Sequence, residues 1–143
     1  MNKLMKYDTN TLAPTAKWLH ALELPAKISR HRAKIMTKIN AKLAEFDADR
    51  LEIIKKHCLM DGEKPKVTSE GNVMFKSDSN KMEFVKEFNE LVEEPVVLDL
   101  TELEFSCQLL FEYFENDYDE KIGGDDALLF ERFMEHLEAI GGD

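Results

Sequence analysis

The longest helical pattern in the chain runs from Pro25 to Cys58. Its hydrophobic residues recur mostly at steps of three, four or seven, which places them on one slowly drifting stripe of a helix. These residues are Ile28, Ile35, Ile39, Leu43, Phe46, Ile53 and Ile54. No glycine interrupts the stretch, and its one proline stands at the start, where a helix tolerates the missing N–H. We therefore predict a single helix over residues 25–58, about 50 Å long at 1.5 Å per residue.

Shorter patterned segments precede and follow this helix. Residues 1–23 predict a strand and then a short helix, and residues 66–75 predict a β-hairpin that turns at Ser69-Glu-Gly-Asn. A helix is expected over 79–94 and a β-branched strand over 95–100, which we expect to pair with the hairpin. Residues 101–140 predict two helices joined by a polar loop. Phe105, in the first of these two helices, is expected to belong to the core.

Taken together, these elements define a fold class. We predict an α+β protein that is predominantly α-helical, with one long central helix, three or four shorter helices and a small two- or three-stranded β-sheet. The sequence shows no internal repeat, linker or low-complexity segment. A single domain over residues 1–143 is therefore expected.

Composition narrows the class of protein further. With 43% hydrophobic and 34% charged residues, the chain is expected to be soluble and globular. No apolar run approaches the length of a membrane span, and the first residues lack the apolar segment of a secretory signal. Cys58 and Cys107 have no metal-binding or redox spacing, so we expect buried free thiols in a reducing cytoplasm.

The charges are distributed unevenly along the chain. Residues 1–82 carry 16 Lys and Arg against 10 Asp and Glu, whereas residues 83–143 carry 3 against 19. Basic residues repeat at steps of three and four near the start of the long helix, at Lys27, Arg30, Lys34, Lys38 and Lys42. This row could contact nucleic-acid phosphates. Because the chain has a net charge of −10, we favour the alternative that the row is neutralised by the acidic C-terminal half or simply solvated.

Catalytic and metal-binding motifs are not found in the sequence. The acidic loop 116–126 fails as an EF-hand, since Lys121, Ile122 and Leu128 stand where a ligand, a glycine and a glutamate are required. The four histidines (His20, His31, His57 and His136) lie far apart, and there is no phosphate-binding loop or nucleophile motif. We therefore predict a non-enzymatic protein without catalytic residues, metal or cofactor.

Several sequence blocks resemble a known family. They are SRHRAKIMTKINAKLAEFDADRLEIIKKH, then DGEKPKV, KEFNELVEEPVVLDLTE and GGDDALLFERFMEHLE, in this order. From about residue 24 to the end, the chain resembles the small Gram-positive bacteriophage and prophage proteins of domain of unknown function 1617. The resemblance implies a phage origin and action in the cytoplasm of an infected bacterium or in the virion. It implies no catalytic residue.

These observations lead to three functional hypotheses. The first is protein–protein interaction, as a virion, tail-assembly or accessory component, with self-association into a homo-oligomer and no membrane partner. The second is an inhibitor or regulator that binds a host protein, for which an acidic face would mimic nucleic acid. The third is nucleic-acid binding through the basic helix 27–42. The acidic face would comprise Glu112, Glu115, Asp117 and Asp119, extended by Glu90, Glu93 and Glu94.

Overall fold

The computed structural model describes residues 3–141, which form an α+β fold that is mostly helical, as predicted. The helices are α1 (Thr9–Ala21), α2 (Ala26–His57), α3 (Asp78–Glu93), α4 (Glu104–Asn116) and α5 (Asp125–Gly141), with a short 3-10 helix at Thr101–Leu103. The strands are β1 (Leu4–Tyr7), β2 (Met60–Asp61), β3 (Lys64–Pro65) and β4 (Val96–Asp99). The long helix predicted over 25–58 is confirmed to within one residue at each end.

Helix starts are fixed by the capping residues that the sequence supplies. The Thr11 backbone N–H donates to Asp8 Oδ1 at 2.8 Å, and the Asn80 backbone N–H donates to Ser77 Oγ at 3.1 Å. Each bond satisfies one of the N–H groups that a helix leaves without a partner at its start. None of the helices within residues 3–141 is both long enough and apolar enough to cross a membrane.

The strands form two separate antiparallel pairs, β1 with β4 and β2 with β3. The expected pairing of the strand at 95–100 with the 66–75 hairpin is wrong, because β4 pairs with β1 in a register that sets Met5 opposite Leu98. Along β1, Met5 and Tyr7 are buried whereas Leu4 and Lys6 are exposed. This alternation gives β1 one core-facing side, and pairing with β4 places the buried Leu98 on the same side.

The hairpin predicted over 66–75 is reduced to one bridge, between Val67 and Val73. Its turn lies where expected, with the Gly71 N–H donating to the Thr68 carbonyl. A two-residue hairpin forms upstream instead, where β2 and β3 flank Gly62 and Glu63. Gly62 has a φ of +66°, a conformation that favours glycine and suits the first central position of such a turn.

The described chain forms two compact units, residues 3–43 with 95–141 and residues 44–94. The prediction of a single domain stays a prediction. The main hydrophobic core lies in the first unit, where β1, β4, α1, the first part of α2, α4 and α5 contribute buried side chains. Its fully buried members include Leu12, Leu19, Ile35, Leu98, Leu110, Phe133 and Leu137.

The unit formed by residues 44–94 has a smaller buried interior. Only two of its hydrophobic side chains are buried, Cys58 and Leu91, and its aromatic rings at Phe75, Phe84 and Phe88 are half-buried. The Phe75 and Phe84 rings meet edge to face with centroids 5.2 Å apart. This unit therefore leaves much of its apolar surface in contact with solvent.

Both cysteines are free and buried, as predicted. Burial raises the pKa of the Cys107 thiol to about 12, with a smaller contribution from the charge of Glu104. The pKa of Cys58 is also raised by burial. Neither thiol is therefore poised as a thiolate near neutral pH.

Candidate interaction surfaces

Four cations on one side of α2 make up what we call the basic row: Lys27, Arg30, Lys34 and Lys38. All four side chains are exposed. Within residues 3–141, none of them forms a side-chain hydrogen bond or an ion pair. The acidic C-terminal half therefore does not pair with the row, which is a solvated cationic face.

Two further basic residues of α2 have different environments. Lys42 is half-buried and has an interaction within the protein, so the exposed row ends at Lys38. Arg32 donates to the carbonyl oxygens of Leu19 and Leu22 and, at 3.0 Å, to Ser29 Oγ. It satisfies carbonyl groups at the end of α1. Arg32 is consequently a structural residue.

A buried histidine lies among the basic residues. His31 Nδ1 shares a hydrogen bond of 2.8 Å with Ser106 Oγ of α4. Burial lowers the pKa of His31, and the charges of Lys34, Arg30 and Lys27 lower it further. The positive field of the row therefore reaches the imidazole, which stays neutral at neutral pH.

An exposed aromatic ring lies against the same histidine. The Phe105 ring of α4 meets the His31 ring edge to face, with centroids 5.6 Å apart, and 65% of Phe105 is exposed. The expectation that Phe105 belongs to the core is wrong. The buried face of α4 is set by Ser106, Cys107, Leu110 and Phe114, which places Phe105 on another side of the helix. The spacing of these four residues is the signal that identifies Phe105 as exposed.

The acidic candidates are also solvent-exposed. Glu112, Glu115, Asp117 and Asp119 lie at the end of α4 and in the loop that follows, all in the first unit. Glu90, Glu93 and Glu94 lie in the other unit, at the end of α3. The hypothesis that these seven residues share one acidic face stays a prediction.

The outer face of α3 carries exposed hydrophobic side chains that sequence analysis did not single out. Met82 is 75% exposed and Val85 is 49% exposed. Phe84, Phe88 and Leu91 occupy the opposite, inner face of the helix. The inner face accounts for the packing of α3, and Met82 lies at the centre of the face that packing leaves outside.

Charged residues flank Met82 symmetrically along α3. Asp78 lies four residues before it and Lys86 four residues after it, so all three lie near one face of the helix. Asp78 and Lys86 are exposed, and neither forms an ion pair within residues 3–141. The outer face therefore reads acid, methionine, base at equal steps.

The inner side of α3 is held to α2 by a polar network around His57. This buried imidazole receives a hydrogen bond of 3.1 Å at Nδ1 from Asn80 Nδ2, and its Nε2 donates to Glu87 Oε2 at 2.7 Å. Lys56 Nζ binds the other oxygen of Glu87 at 2.6 Å. Hydrogen bonds from Lys56 and His57 lower the pKa of Glu87. All partners of His57 are committed to holding the two helices together.

Open grooves are present, but the described residues bring together no metal-binding set. The largest groove described, about 690 Å³, lies between α2 and α3 and has mixed charge, with Asp49, Glu52, Lys55 and Glu90 among its lining residues. Within residues 3–141, no group of three or more His, Cys, Asp or Glu side chains is arranged to hold a metal ion. The surfaces that stand out are the basic row with Phe105 and the outer face of α3.

The fold and these surfaces define a mostly helical α+β protein whose prominent features are exposed apolar and unpaired charged side chains. The chain belongs to the family described as protein of unknown function (DUF1617), whose model matches residues 3–141. The match begins well before residue 24, so the N-terminal segment that appeared to lie outside the resemblance belongs to the family pattern. Comparison with curated proteins and with solved structures finds no match to this chain.

Proposed function

We propose that this protein acts without catalysis, by binding other proteins, and that its first partner is a second copy of itself. The observation that supports this function is the poor coverage of residues 44–94. This unit buries two hydrophobic side chains and exposes six large ones, namely Leu59, Val67, Val73, Met74, Met82 and Val85. Apolar surface left open on a folded protein is typical of a protein–protein contact.

The outer face of α3 is the part of this surface that fits a second copy. When two α3 helices cross antiparallel at Met82, the Asp78 of each copy comes to the level of the Lys86 of the other, because both lie four residues from Met82. One face then supplies an apolar centre and two pairs of opposite charges. A two-fold dimer requires this self-complementarity.

A stable dimer of this kind suits an assembly role. The family resemblance implies an origin in tailed bacteriophages, where a non-enzymatic homo-oligomer would serve as a virion, tail-assembly or accessory component. The dimer would leave the basic row of the other unit available for a different partner. The protein would act in the cytoplasm of the infected bacterium or in the virion.

Charge exchange provides a sharp test of the two-fold contact. Asp78→Lys gives each copy two lysines at the contact, and Lys86→Asp gives each copy two aspartates, so each variant alone is expected to be monomeric in light scattering. An equimolar mixture is expected to form a heterodimer, because every lysine then meets an aspartate. If both variants remain dimeric alone, or if the mixture stays monomeric, the proposed α3 contact is wrong.

The apolar centre has a matched control in the other unit. Met82→Glu places two carboxylates at the crossing point and is expected to yield monomer. Leu128→Glu introduces the same charge at a leucine that is 68% exposed on α5 and is expected to leave the dimer intact. Equal behaviour of the two variants would contradict an interface at α3.

A further inference from the structure

We propose that the basic row and Phe105 form a binding site for single-stranded nucleic acid, separate from the self-association surface of α3. The site comprises Lys27, Arg30, Lys34 and the exposed ring of Phe105, with the buried His31 beneath that ring. Its components come from α2 and α4, which both belong to the first unit.

The cations have the spacing of a backbone-binding strip. Lys27, Arg30 and Lys34 follow one side of α2 at steps of three and four residues, which is roughly 5 to 6 Å along the helix axis from one charge to the next. None is neutralised by an ion pair within the part of the chain that the structure describes. Such a strip can follow a run of phosphates.

Phe105 distinguishes this surface from a simply solvated basic face. Its ring is mostly exposed and lies against His31, the residue whose pKa the charges of Lys27, Arg30 and Lys34 depress. The ring therefore stands within the field of the three cations. An aromatic platform beside a cationic strip is the combination that binds single strands, because bases stack on the ring while phosphates meet the charges.

The overall acidity of the chain does not oppose this site at close range. Between Glu23 and Glu45 the sequence holds six Lys and Arg and no acid. The Debye length is about 10 Å at 0.1 M salt, so acids more distant than this are largely screened. Lys38 lies near Asp99, whose pKa it helps to lower, and this acid marks one end of the site.

Duplex DNA and acidic proteins are less favoured ligands. Bases in a duplex are stacked on one another and offer no free face to Phe105, and a glutamate-rich segment has no ring to stack on it. The site is therefore expected to prefer a single strand to a duplex of the same length and to polyglutamate.

The direct test is fluorescence anisotropy of the full chain with a labelled oligothymidylate of about 12 nucleotides, a length within the range that single-strand sites cover. Phe105→Ala is expected to weaken binding roughly 5- to 100-fold, the effect of losing one stacked base. Arg30→Glu combined with Lys34→Glu is expected to abolish binding at about 50 mM salt and to flatten the salt dependence, which is about −0.7 in log K per phosphate contact.

Matched controls keep this result specific. Leu128→Ala removes an equally exposed hydrophobic side chain, and Lys64→Glu with Lys66→Glu reverses two exposed lysines of the other unit. Both controls are expected to bind as the wild type does, and circular dichroism confirms that every variant is folded. Unchanged binding by Phe105→Ala, or equal affinity for the duplex or for polyglutamate, would overturn the proposal. Loss of dimer without loss of oligonucleotide binding would contradict only the function proposed for α3.

Discussion

Arg32 of α2 donates a hydrogen bond of 3.0 Å to the backbone carbonyl oxygen of Leu19 near the end of α1. A second bond reaches the carbonyl of Leu22, in the connection between the two helices. These carbonyls lie beyond the reach of α1's own N–H groups. One guanidinium therefore joins the end of α1 to α2.

Replacing Arg32 with alanine is expected to lower the free energy of unfolding by about 1–3 kcal/mol, because partly buried carbonyls lose a charged donor. Urea denaturation monitored by circular dichroism measures the change. Arg30→Ala is the matched control, since Arg30 is exposed and forms no side-chain hydrogen bond or ion pair in the described chain. A destabilisation of equal size in the two variants would contradict the capping role.

Gly141 permits a close approach between the end of α5 and the start of α4. A Cβ atom at this position would lie 2.5 Å from the Gln108 backbone nitrogen and 2.9 Å from the Glu104 carbonyl oxygen. Gly141→Ala is therefore expected to destabilise the protein by about 1–3 kcal/mol, the usual effect of overpacking. The melting temperature reports the loss.

Gly123→Ala is the control for this substitution. A Cβ at Gly123 meets nothing within 4 Å, and Gly123 lies in the loop before α5. Its melting temperature is expected to stay close to that of the wild type. If Gly141→Ala melts as the wild type does, α4 and α5 do not pack as closely as described.

His31 is expected to make the protein less stable in mild acid. Its pKa is lowered in the folded protein, chiefly by burial, so below about pH 6.5 the unfolded chain binds a proton that the folded protein takes up less readily. The free energy of unfolding contributed by this group is therefore fully present at neutral pH. It falls as the pH drops below the unfolded pKa.

Urea titrations between pH 5 and 7.5 measure this effect. His31→Gln is expected to reduce the slope of stability against pH while lowering stability at neutral pH, because the amide fills the site only partly. His20→Gln, at an exposed position, is expected to keep the wild-type slope. His136, whose pKa is also lowered by burial, accounts for part of the remaining slope. An unchanged slope in His31→Gln would show that His31 titrates alike in the two states.

The buried thiol of Cys107 is expected to resist alkylation. With its pKa raised to about 12, very little thiolate forms at pH 8. Iodoacetamide followed by mass spectrometry should label Cys107 only after denaturation in urea. Rapid labelling of the native protein at Cys107 would contradict the burial of this residue.

Most of the helical fold follows from the spacing of hydrophobic residues. The stripe from Ile28 to Ile54 predicts α2, and the capping residues Asp8 and Ser77 stand where α1 and α3 begin. These signals are local, since period and cap chemistry act within a few residues of the chain. The partner of β4 depends instead on a segment about ninety residues away, which no local pattern specifies.

The candidate surfaces were only partly predictable. Charge spacing identifies the basic row, but Arg32 is separated from it by the carbonyls of α1, which the sequence does not place beside α2. The burial of His31 did have a signal, because it stands three residues after Ile28 and four before Ile35 on the apolar stripe. The exposure of Met82 follows from the inner face that Phe84, Phe88 and Leu91 define.

The measurement that tests the central claim most directly is the solution mass of the wild-type chain by light scattering, at low salt and at about 0.5 M salt, where exposed charges are largely screened. A contact centred on Met82 predicts twice the 16.5 kDa of one chain at both salt concentrations, because apolar burial withstands screening. A mass of one chain at both concentrations would contradict self-association through α3.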